Sequence, residues 1–173
     1  MSKLYWHILS IILLAATKGY IYSQVPPYFN HLNVEDGLSE NTISQIFQAS
    51  NNLVYLGTSA GLNVYDGARI KVINRYTTDQ PVLKSNSIMS CCMEQSNGDI
   101  WFSTNSELAR YRPLDNSIIS IGLDDSSSPY YLLDLEADRY LWFSYDSCTY
   151  RLDTENHNIS DTTLSARIRN GQS

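Results

Sequence analysis

Hydrophobic and polar residues alternate along this chain in short bursts, and the bursts come in matched sets. Residues Ile43 to Phe47, Leu53 to Thr58 and Gly61 to Asp66 make one set; Ile88 to Met93, Asp99 to Thr104 and Leu108 to Arg112 make a second. A third, more worn, runs through Tyr131 to Leu135, Leu141 to Ser144 and Thr149 to Asp153. Two-residue alternation is the pattern of a half-buried strand. It is plainest in the stretch after Gly67, where Ile70 and Val72 fall on one side and Arg69 and Lys71 on the other. Asp66-Gly67 and Asn97-Gly98 break the runs with residues that tolerate a left-handed backbone, so each predicts a hairpin turn. No apolar spacing of helical period stands out beyond Gln24.

The middle run of each set carries an aromatic residue, Tyr55, Trp101 and Trp142, so the sets recur about every 40–50 residues. Short strands repeating at that length predict propeller blades, each a four-stranded sheet that cannot bury both faces until neighbours stack on it. The expected fold is all-β: a partial β-propeller of about three four-stranded antiparallel blades, preceded by a signal peptide. Its divisions are a signal peptide over 1–23, a lead-in linker and strand over 24–40, and blades over 41–76, 77–123 and 124–160. A polar tail, or the start of another blade, covers 161–173. Pro26 and Pro27 stiffen the lead-in, Tyr28 to Leu32 reads as a strand, and Asp36-Gly37 as a turn.

Roles within the repeat follow from position. Tyr55, Trp101 and Trp142 are expected to pack between blades, although flat aromatic faces also suit sugar rings. Gly57, Thr58, Ser103, Thr104 and Ser144 are the small residues that close blade packing favours. Gly61, Leu62, Tyr65, Asp66 and Gly67, with Leu108 and Tyr111, complete the next strand and its turn. Propellers close with at least about four blades. Three leave the outer faces bare, so the sequence reads as the N-terminal piece of a longer ring, with self-association and a truncated, nonfunctional remnant as alternatives.

The first residues read as a secretory signal. Lys3 precedes the apolar run Ile8 to Ala16, and Ser23 offers a small residue before a cut ahead of Gln24. That run is too short to span a bilayer, which takes ~20 apolar residues. The chain carries a net charge of -6, and removing a leader with two lysines and no acid makes it more acidic still. Such a balance argues against nucleic acid, whose phosphates want a basic surface. Cysteine is odd in number at 3: Cys91, Cys92 and Cys148. Adjacent strand residues point to opposite faces, so Cys91 and Cys92 are expected to pack as small apolar side chains, with a bridge from either to Cys148 left open. His31 and His157 lack metal-ligand spacing to any cysteine, so no metal or cofactor is expected.

Catalytic patterns are sparse. Glu35-Asp36 and Asp124-Asp125 are paired carboxylates, but they sit in turn-rich stretches where Asp serves backbone geometry. No Gly-x-Ser-x-Gly elbow and no Gly-rich phosphate loop occurs. No catalytic residue is nominated, and no ligand-contacting residue either; Arg69, Arg75, Arg110 and Arg112 are rim positions at most.

The wording of the repeats resembles the two-component regulator propeller repeat. Leu56-Gly57-Thr58-Ser59-Ala60-Gly61-Leu62-Asn63-Val64-Tyr65-Asp66-Gly67 is close to that family's consensus, and Phe29 to Asn41 is similar to the phrase that opens its first blade. The second repeat departs with Glu107 where the family has Gly before Leu108, and the third with Ser144-Tyr145, which implies altered loops there. The resemblance implies the periplasmic sensor part of a bacterial hybrid two-component histidine kinase, anchored in the inner membrane. It further implies an oligosaccharide ligand, remaining propeller blades, a homodimer in the full-length protein, and no catalysis by this segment. A secreted propeller lyase or glycosidase is the competing reading.

Overall fold

The computed structural model describes residues 29, 31–77, 82–123 and 128–161, with the side chains of Cys91, Cys92 and Asp161 set aside. The expected signal peptide and the polar tail beyond Asp161 lie outside them, as does the Asp124-Asp125 pair.

Among the described residues, twelve strands form three antiparallel sheets of four, each built from consecutive strands in simple meander order. The first sheet holds β1 (Gln45–Gln48), β2 (Val54–Thr58), β3 (Gly61–Tyr65) and β4 (Ile70–Ile73). The second holds β5 (Ile88–Glu94), β6 (Ile100–Thr104), β7 (Leu108–Arg112) and β8 (Ser117–Ile121). The third holds β9 (Tyr131–Glu136), β10 (Tyr140–Tyr145), β11 (Cys148–Asp153) and β12 (Ile159–Asp161). Ahead of them a single 3-10 turn, Val34–Asp36, is capped by Asn33 at one end and left-handed Gly37 at the other. The fold is all-β, a partial propeller. First strands lie against first strands, β1 on β5 and β5 on β9, as in sheets arranged radially about an axis.

Register explains which residues seal the interfaces. Phe47, Tyr55, Val64 and Lys71 stand opposite one another across the first sheet, as do Gln45, Gly57, Leu62 and Ile73. Cross-strand partners share a face, and this face packs on the second sheet in a core with Ile88, Ile100, Phe102, Ala109 and Tyr111. Ile70 and Val72 therefore point the other way, toward the side with no neighbouring sheet. The second sheet's opposite face, with Trp101 and Leu108, joins Leu132, Leu141, Phe143, Tyr145 and Leu152 of the third. Here Tyr130 lies 4.4 Å from the Tyr145 ring and 5.9 Å from that of Phe143.

Turn chemistry matches the breaks in the alternation. Asp66 Oδ1 accepts the N–H groups of Ala68 (2.8 Å) and Arg69 (2.7 Å), closing the turn that Gly67 enters at φ 94°. Those two bonds hold the Asp66 carboxyl below the ordinary carboxylate range. At Gly57 even a methyl group would meet Ile88 Cγ2 at 2.8 Å, so the inter-sheet distance itself demands glycine.

Candidate functional site

Polar contacts at one end of the sheets, where the first–second and third–fourth strand turns gather, tie each sheet to the next. Ser50 in the first sheet's turn gives its N–H and Oγ–H to the Glu94 carboxylate, both at 2.7 Å. The matching Ser96 of the second sheet gives its N–H to Asp138 Oδ1 at 2.8 Å and its hydroxyl to Oδ2. Lys71 reaches Tyr111 Oη (3.2 Å) and Asn116 Oδ1 across the first interface.

At this end the second sheet's turns, with Asn51 of the first sheet's turn beside them, line an open cleft of about 570 Å³, bordered by Asn51, Asn97, Gly98, Asp99, Arg112, Pro113, Leu114 and Asp115. Its chemistry centres on Asp99, which is 1% exposed. Arg112 donates to it twice, from Nε at 2.8 Å and from an Nη at 2.9 Å, and Arg110 Nε approaches to 3.5 Å. A buried carboxylate between two guanidiniums has its hydrogen-bonding capacity taken up by them and is fixed in place. Its hydrogen bonds push Arg112 further into its charged form. Asp115 is held below the usual carboxylate range by its bonds to the Ser117 hydroxyl and N–H. The cleft thus offers amides, a guanidinium and a carboxylate, the groups that match hydroxyl-rich ligands, without an aromatic floor.

The third sheet carries a related ion pair. Arg139 donates to Asp153 Oδ2 at 2.7 Å and approaches Glu155 at 3.2 Å; the Arg139 bonds, then the Glu155 N–H, lower the Asp153 carboxyl. A second hollow, of about 380 Å³, lies at the other end of this sheet between Tyr131, Ser144, Tyr145, Asp146 and Ser147.

The residues singled out from the repeat fall as follows. Tyr55 and Trp101 are completely buried between sheets, and Trp101 Nε1 donates to Gln95 Oε1 at 2.7 Å. Trp142 is only half-buried, its Nε1 donating to Glu136 at 2.8 Å and its ring overlain by Arg151. Thr58, Ser103 and Thr104 are buried, and the Ser103 hydroxyl bonds the Tyr130 carbonyl across the interface at 2.6 Å. Thr58 Oγ1 donates to the Gly61 carbonyl at 3.0 Å. Leu62, Leu108 and Tyr111 are core residues, whereas Tyr65 and Ser144 are half-buried and Asp66 and Gly67 sit in an exposed turn. Cys148 is a free thiol, half-buried.

Gln95 was not singled out, and Glu107 was read only as a departure from the repeat. Gln95 links Trp101 to the third sheet, its Nε2 donating to the Asp138 carbonyl (2.8 Å) and Thr154 Oγ1 (3.0 Å). Glu107, in place of the expected glycine, is fully buried. It accepts from the N–H groups of Lys84 (2.6 Å) and Ser85 (3.2 Å) and from the Ser120 hydroxyl (2.6 Å). It pins the linker between the first two sheets. The departure from the repeat consensus was its signal; the partners that reward it are distant in sequence. Among the described residues no group of His, Cys, Asp and Glu is placed to hold a metal ion, and no helix is long and apolar enough to cross a membrane.

An incomplete propeller is the class of fold these sheets define, and known structures share it. The chain is similar to the extracellular domain described as that of a hybrid two-component system from B. thetaiotaomicron, at 21% identity and a TM-score of 0.61. That match covers 78% of this chain and 20% of the other. A second such domain from the same organism matches at 18% identity and a TM-score of 0.57, over 69% of this chain and 16% of its own. The chain therefore spans a fifth or less of the length of the extracellular domains it resembles. No family model matches the chain, and no curated protein matches its sequence.

Proposed function

We propose that this chain is the N-terminal part of an extracytoplasmic sensing propeller of the two-component regulator repeat type, whose complete form binds an oligosaccharide and relays its presence across the inner membrane. The observation that carries this reading is the unbroken run of three stacked sheets aligning over most of the chain with extracellular domains of hybrid two-component systems. The export signal read at residues 1–23 supports the same compartment. In this reading the segment contributes blades and no catalysis. The carboxylates best placed for acid–base work, Asp99 and Asp153, are committed to arginines.

The cleft around Asn51, Asn97 and Arg112 is the site proposed for ligand hydroxyls. The test is a panel of defined oligosaccharides scored two ways, by thermal shift and by product analysis. A saturable shift with an intact glycan, weakened in Asn97→Ala, supports the sensor. Cleaved glycan would establish the lyase or glycosidase reading instead, and no shift with any member of the panel would remove the sugar ligand.

A further inference from the structure

Beside the cleft, β4 and the turn between β7 and β8 border a further open hollow of about 380 Å³. Pro113 lines both spaces, so they adjoin there. The hollow's lining differs in charge from the cleft's: Lys71 and Arg69 face it with Tyr111 and Asn116, and Asp66 is the acid among its lining residues. Lys71 is out of place by the logic of the repeat. It stands opposite Val64 and Tyr55, where the second sheet has Ile119 opposite Arg110 and Trp101. Ile119 packs on the core that seals the next interface, as the position invites.

The Lys71 ammonium is held instead by neutral groups. It donates to Tyr111 Oη at 3.2 Å and to Asn116 Oδ1, and lies 5.4 Å from the centre of the Tyr111 ring. Such partners fix a charge without cancelling it. Tyr111 Oη donates to the same Asn116 oxygen at 2.9 Å, which fills both its lone pairs and leaves the amide's Nδ2 as a donor for another acceptor. Arg110, Arg112 and Arg139 are ion-paired, whereas among the described residues Lys71 and Arg69 hold no ion pair. Asp66 is tied into its own turn by the N–H groups of Ala68 and Arg69. Two cations against one acid leave the hollow net positive, in a chain whose net charge is -6.

We propose that this hollow binds an oxyanion, a carboxylate or a sulfate, carried by the same ligand whose hydroxyls enter the adjoining cleft. Lys71 supplies a positioned ammonium, Arg69 a guanidinium that can grip two oxygens, and Asn116 an amide donor. The ligand class narrows from glycans in general to acidic ones. The shared ligand rests on the sugar reading of the cleft; the anion site does not.

Acetylation footprinting of the full chain by mass spectrometry reads the site locally, with exposed Lys84, outside the hollow, as the internal reference. Sodium sulfate replaces chloride at constant ionic strength. Lys71 acetylation is expected to slow saturably, about tenfold when sulfate stands about ten times above its Kd, while Lys84 is unchanged. Arg69→Gln should weaken that protection, and Arg75→Gln, a cation outside the hollow, should not. No slowing, or equal slowing at both lysines, overturns the anion site. Oligogalacturonate and a sulfated chondroitin tetrasaccharide, each beside its methyl-esterified or desulfated form, then identify the carrier. Protection by an acidic form alone, weakened by Asn97→Ala, supports the shared ligand; protection by sulfate and by neither glycan overturns it. A chain that binds no glycan yet shields Lys71 with sulfate loses the sensing reading and keeps the anion site. One that binds neutral glycan in the cleft with Lys71 unshielded does the reverse.

Discussion

The second and third sheets place the same residue at the same point of the repeat and give it different surroundings. Trp101 lies sealed between them, and its Nε1–H begins a chain of bonds through Gln95 into the third sheet. Trp142 faces away from the second sheet, and its bond to Glu136 ends there, on an exposed carboxylate. Gln can accept from the indole and donate onward, whereas an ionised Glu can only accept. The difference teaches that the aromatic is chosen for a neighbour: burial of this position is a property of the interface, not of the strand.

Stability measurements should magnify the contrast. Trp101→Ala removes a fully enclosed side chain and is expected to cost about 3–5 kcal/mol. Trp142→Ala should cost about 1 kcal/mol or less. Equal losses in urea unfolding would mean that the two tryptophans do not differ in their surroundings. Next comes the buried charge. Asp99→Ala leaves Arg110 and Arg112 facing each other, and a loss of about 3 kcal/mol is expected, the low end because Arg112 reaches solvent. A neutral result would show the cluster to be ornamental. Gly57→Ala should cost about 1–3 kcal/mol by driving a methyl group into Ile88. Ile88→Ala in the same chain should recover part of that loss, since the two positions are coupled through one contact.

The smallest effect concerns pH. Asp153 is lowered from 3.8 chiefly by Arg139. A carboxyl lowered by folding adds stability that is complete above its unfolded pKa and is lost as pH falls through the folded value. Asp153→Asn should therefore flatten the decline of melting temperature below about pH 4 and leave the neutral range unchanged in shape. An unchanged acid limb would remove the ion pair from the account.

Much of this architecture was legible in the alternation. Three sets of runs became three sheets, because a strand buried on one side announces itself by period. The third set departs from the repeat with Tyr145 after Ser144, yet it forms a four-stranded sheet, with one register shift between β9 and β10 at Trp142–Phe143. Tyr145 is accommodated by stacking against Tyr130 and lying near Tyr150, a partnership that no local reading could show. Glu107 was visible as an exception, but the backbone N–H groups that reward it come from Lys84 and Ser85, across a loop. The cleft was not legible at all. Asn51 and Arg112 border one cleft only because sheets stack, and stacking is encoded by the faces and not by the turns.

Fluorescence quenching by acrylamide tests the central claim most directly, in a Trp6→Phe background carrying either Trp101→Phe or Trp142→Phe. With Trp101 as the remaining reporter, emission should be blue-shifted and resist quencher. With Trp142 remaining, it should be red-shifted and quenched several-fold more readily. Two tryptophans equally accessible, or Trp101 the more exposed, would contradict the stacked-sheet arrangement.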